Sequence, residues 1–175
     1  MEKYDVYWEK ICQIYLLTKH YLLLAEELSD DFDTFLQPLK EHRDAFDHIV
    51  RVYGYKFLDN PPSDPESYCL GNVKKALGHE YRAFFDTADW LSYICRKKIR
   101  EMIQGQTVDE ISKQCPDYLN IKQWLNQLPE DIAKIRESKD VSDKGEELIE
   151  EVKKYKHILD RLLSVYDDFC IKFGI

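Results

Sequence analysis

Two short stretches bring together the residue types needed for acid–base and anion chemistry. In EHRDAFDHIV, residues 41 to 50, Arg43, Asp44 and His48 stand within eight positions alongside His42. In GHEYRAFFDTAD, residues 78 to 89, His79, Arg82 and Asp86 recur three and four positions apart, which puts them on one side of a helix. A histidine beside a carboxylate can move a proton near neutral pH, and an arginine can hold an oxyanion. If the two polar sides faced each other across a cleft or a dimer interface, they would form an acid, a base and an anion anchor. If they face water, they are solvated helix sides and nothing more.

The elements that must position these groups are helices. From Tyr4 to about Leu28, Ile11, Ile14, Tyr15, Leu17, Tyr21, Leu24 and Leu28 recur at helical spacing. SDDFD at 29 to 33 interrupts the pattern and offers Asp33 or Thr34 as the next cap. A second helix is expected over Phe35 to Tyr53, with Phe35, Leu39, Phe46, Ile49, Val50 and Tyr53 as its buried stripe. On that phase His42 is a core-edge histidine bonded to a neighbour. His48 then projects to the outer face with Asp44 and Arg51. DNPPSDPES at 59 to 67 reads as a loop.

A third helix is expected from an Asn72 cap to about Ile103, burying Val73, Leu77, Tyr81, Phe84, Ala88, Leu91, Cys95, Ile99 and Met102. Ala76, Ala83 and Thr87 form a narrow strip where another helix can come close. TVDE at 107 to 110 matches a capping box, and Pro116 ends that short helix. Two further short helices follow, with Pro129 in the first turn of the second. A last helix begins near Ser142 and carries Leu148, Val152, Tyr155, Leu159, Leu162, Tyr166, Phe169 and Phe173. The expected fold is all-α: one helical-bundle domain over residues 1 to 175, built from four long amphipathic helices with short helices in the C-terminal half.

Composition narrows the function. The chain has 25 basic and 33 acidic residues, a net charge of -8, which repels nucleic acid and anionic lipid at long range; RKKIR at 96 to 100 is the local exception. No apolar run approaches the length of a membrane span, and MEKYDVYWEK does not resemble a signal peptide, so a cytoplasmic protein without membrane contact is expected. The five cysteines, Cys12, Cys69, Cys95, Cys115 and Cys170, are scattered and read as buried reduced thiols. No ExxH, HExxH or clustered Cys/His set points to a metal, and no glycine-rich loop to a phosphate cofactor, so none is expected.

The run RDAFDH, Arg43 to His48, resembles the R-x4-H motif of HEPN-domain ribonucleases, over six residues of 175. The resemblance implies a compact, usually dimeric helical bundle that cleaves RNA without metal. His48 would then serve as the acid/base, Arg43 as the phosphate anchor, and Asp44 as the polar residue after the arginine. The main expectation from the whole chain is different: a non-enzymatic interaction or regulatory protein that forms a homo-oligomer or meets a protein partner. RNA is a partner only under the ribonuclease alternative.

Overall fold

The structure, a computed structural model, describes residues 4–30, 34–137 and 147–174. It is all-α: α1 (Asp5–Leu28), α2 (Leu36–Gly54), α3 (Pro65–Met102), α4 (Val108–Gln114), α5 (Tyr118–Glu137) and α6 (Glu147–Phe173), with no strand among the described residues. A 3-10 turn, Tyr55–Phe57, follows α2. The chain divides into two compact units, Met1–Asp89 and Trp90–Ile175, and α3 runs through both. Among the described residues, no helix is both long and apolar enough to cross a membrane.

In the first unit, α1 buries Ile11, Ile14, Tyr21, Leu22 and Ala25, and α3 buries Val73, Ala76, Leu77, Tyr81, Phe84 and Phe85. Their rings interlock: Tyr21 meets Phe84 at 6.5 Å between centroids, and Tyr81 meets Phe85 at 4.7 Å. The expected strip of Ala76, Ala83 and Thr87 is fully buried.

The expected stripe of α2 does not form. Its buried residues are Pro38, Ala45 and Val52, spaced seven apart, while Phe35, Leu39, Phe46, Val50 and Tyr53 are all exposed. Pro38, Ala45 and Val52 make the inner line, and the larger apolar side chains are displaced to its flank. Thr34 is not the cap either: its hydroxyl bonds Glu26 Oε1 at 2.8 Å, and Phe35 stands at the cap position without a side-chain bond. The other proposed cap, Asp33, lies outside the described residues.

The third helix starts before Asn72. Asp64 accepts the Ser67 backbone N–H at 3.1 Å, and Pro65 opens the helix, where its missing N–H costs nothing. The bonds from Ser67 hold the Asp64 carboxyl below its ordinary range.

In the second unit, the Thr107 and Glu110 capping box forms in both directions. The two short helices expected around Pro129 are one helix, α5, with Pro129 inside it. An internal proline costs roughly 3 kcal/mol of helix stability. Here Tyr118, Ile121, Leu128 and Ile132 lie buried on both sides of it, so packing carries the helix through. The α6 stripe of Leu148, Val152, Tyr155, Leu159, Leu162 and Phe169 is buried as its spacing predicts; the expected start at Ser142 lies outside the described residues. Cys69, Cys95 and Cys115 are buried, whereas Cys12 is exposed, contrary to its reading as a buried thiol. Burial, reinforced by Asp167, pushes the Cys95 thiol up to about 12.

Candidate functional site

The polar sides of α2 and α3 meet within the first unit. Three pairs cross the seam: His48 with Asn72, Glu41 with His79, and His42 with Glu80. Positions advance along α2 as they recede along α3, so the two helices run antiparallel. Asp44 sits on the same side of α2 as Glu41 and His48, three positions after the one and four before the other.

His48 is not on the outer face. It is half-buried, and its Nδ1 donates to Asn72 Oδ1 at 2.9 Å. The Asn72 amide is itself oriented by its Nδ2, which donates to the Tyr68 carbonyl at 2.8 Å. Because Oδ1 can only accept, the proton of a neutral His48 lies on Nδ1, and Nε2 carries the free lone pair. The His48 ring stacks on His79 at 5.3 Å between centroids, with 26° between planes.

His79 shares a carboxylate with Arg82. Glu41 Oε2 lies 2.9 Å from His79 Nδ1 and 2.8 Å from Arg82 Nε. Burial works to raise the Glu41 carboxyl, but the bonds from His79 and Arg82 outweigh it and hold the group below its ordinary value. Arg82 Nη2 also lies 2.7 Å from His79 Nδ1. That nitrogen can donate to Glu41 or accept from Arg82, not both, so the imidazole has a choice of tautomer. Asp86, expected with this group, is half-buried one turn beyond Arg82.

His42 occupies the core edge as expected. Its Nδ1 lies 3.2 Å from Glu80 Oε1 and 3.0 Å from Oε2, and the Tyr15 ring meets it edge-on at 5.3 Å. One N–H between two oxygens satisfies one of them: Oε2 of Glu80 has no hydrogen-bond partner among the described residues.

Arg43 is placed apart from all of these. Its side chain is 72% exposed, and both Nε and Nη2 donate to Asp44 Oδ1, at 2.9 and 2.7 Å. Those bonds hold the Asp44 carboxyl below its ordinary range. Arg43 and His48 therefore leave α2 on different sides, and the histidine meets Asn72 and His79 in place of the arginine five positions before it.

Three members of the seam escaped the sequence reading: Glu41, Asn72 and Glu80. A signal existed for two of them. Glu41 precedes His48 by seven positions and Asn72 precedes His79 by seven, so each shares a helix side with a residue already singled out. Among the described residues, no group of three or more His, Cys, Asp or Glu is arranged to hold a metal ion.

Chemically, the seam is an ion-pair and hydrogen-bond network with two imidazoles at its centre. The apolar residues displaced from the α2 core lie on its other flank. Leu36, Leu39, Phe46, Val50 and Tyr53 form one exposed stripe, with Phe46 64% and Tyr53 55% accessible. α1 borders that stripe, since Trp8 meets Tyr53 at 5.8 Å and Tyr15 meets His42. Leu16 and Leu23 of α1 are exposed as well. Compared with known proteins, the chain matches no family model, no curated protein and no solved structure.

Proposed function

We propose that this chain is a non-enzymatic interaction protein that self-associates through the exposed apolar flank of α2. The observation that carries the reading is the stripe Leu36, Leu39, Phe46, Val50 and Tyr53, five large apolar side chains left uncovered on one side of one helix. Single exposed apolar residues are ordinary on a protein surface, whereas a contiguous stripe marks a surface that excludes water when occupied. The polar seam between α2 and α3 then has a structural role: it orients α2 so that the stripe faces outward.

Light scattering across micromolar concentrations tests this. The parent protein is expected to be larger than a monomer, Phe46→Glu to be monomeric, and Ile171→Glu, at an exposed position in the other unit, to behave as the parent. A monomeric parent at every concentration removes the reading.

The second reading is a metal-independent ribonuclease of HEPN type using Arg43 and His48 at a dimer interface. Its support is the fixed tautomer of His48, which leaves Nε2 as a base. Cleavage of single-stranded RNA in EDTA, lost in His48→Ala, is the result it requires; an inert parent protein ends it.

A further inference from the structure

The exposed stripe on α2 is nearly palindromic. Leu39 and Val50 are equidistant from a point between Asp44 and Ala45, and so are Leu36 and Tyr53. Arg43 and Asp47 lie equally far on either side of Ala45. Both charges border the stripe on the side away from α1, and their side chains are 72% and 56% exposed.

We infer that the occupant of this face is a second copy of the chain, docked with its α2 antiparallel about a two-fold axis near Ala45, so that Arg43 of each copy faces Asp47 of the other. This rests on the self-association reading and specifies its geometry. A two-fold axis perpendicular to a helix reverses the helix direction but returns each flank to the same side. The Arg43 and Asp47 border of one copy therefore meets the same border of the other, running the opposite way, and α1 meets α1. In that register Val50 of one copy packs on Leu39 of the other, and Tyr53 on Leu36. The two Phe46 rings come together beside the axis.

The charges set the register and the apolar stripe supplies the adhesion. Arg43 already bonds Asp44, and Asp47 accepts from Arg51 at 2.8 Å, so each carries a neighbour of opposite sign at the rim. Rim pairs of this kind add little net affinity but penalise any register that sets like charges opposite each other. A shifted or parallel docking would lose both the leucine–valine and the arginine–aspartate matches at once.

Charge reversal tests the register. In an Arg43→Glu homodimer, two acids face each other at each of two symmetric positions; in Asp47→Arg, two cations do. Each single variant is expected to need roughly tenfold or more the concentration of the parent to dimerise, as like charges brought together oppose docking. Mixing the two variants in equal amounts restores both opposite-sign contacts, so native mass spectrometry of the mixture should show mixed dimers well above the roughly one half of all dimers that indifferent pairing gives. The double variant Arg43→Glu/Asp47→Arg should again dimerise alone. Both positions are exposed, and circular dichroism melts of the variants provide the check on folding. If the parent associates but the single variants do so equally well, or the mixture yields no excess of mixed dimers, this register is wrong while self-association stands. If the parent is a monomer throughout, both fall.

Discussion

His42 Nδ1 is hydrogen-bonded at 3.2 Å to Oε1 of Glu80, a carboxylate whose side chain is 5% exposed. A charged or strongly polar acid at that depth is tolerated because a hydrogen-bonding partner faces it. The pair also ties α2 to α3 beside the ring of Tyr15, so it joins α1, α2 and α3 at one point.

His42→Ala leaves the Glu80 carboxylate buried without that partner. The expected cost is about 3 to 5 kcal/mol, the range for breaking one side of a buried pair. Replacing both residues by leucine, which removes the carboxylate too, should cost less than His42→Ala alone. Urea melts of the two variants check this, and a double variant weaker than the single one overturns the account.

The Glu41 carboxyl gives a pH signature. Its pKa is lowered in the folded protein, so its contribution to stability is fully present above the unfolded-state value and is lost as pH falls through the folded-state value. The window opens below the ordinary carboxyl value of 4.5. Glu41→Gln should lose about 1.5 to 3 kcal/mol at pH 7, the value of hydrogen bonds to a charged group. Below the window the gap between variant and parent should narrow. Denaturant midpoints at pH 7 and pH 3.5 measure it, and a gap independent of pH refutes the assignment.

His48 and Asn72 should be energetically coupled. His48→Ala removes a half-buried ring and leaves Asn72 Oδ1 without its donor; Asn72→Ala strips the same bond from the other side. A double-mutant cycle is expected to give a coupling of about 0.5 to 1.5 kcal/mol. A coupling indistinguishable from zero places His48 in solvent.

Leu159→Ala and Phe46→Ala separate a core stripe from an exposed one. Leu159 is fully buried and should cost about 2 to 5 kcal/mol. Phe46, the larger side chain, should cost under about 0.5 kcal/mol when measured at concentrations low enough to keep the chain dissociated. Equal losses would move Phe46 into the core.

What the sequence determined by itself is the helices and most of their inner lines. The spacing of Ile11, Ile14 and Tyr21 in α1, of Val73, Leu77, Tyr81 and Phe84 in α3, and of Leu148, Tyr155, Leu159 and Leu162 in α6 is enough, because a helix with one apolar side buries that side. The Thr107 and Glu110 box was legible for the same reason: its bonds are local, three residues apart. Tertiary structure alone decided the phase of α2. Periodicity shows that Leu39, Phe46, Val50 and Tyr53 share a side but does not say whether any neighbour covers it. Burial of the line Pro38, Ala45 and Val52, with Glu41 and His48 paired across the seam, turned that side outward. Likewise Pro129 reads locally as a helix boundary, and only burial of Ile121, Leu128 and Ile132 around it makes one helix of two. Local rules settle what three or four neighbouring residues can settle; which side of a helix meets protein depends on residues dozens of positions away.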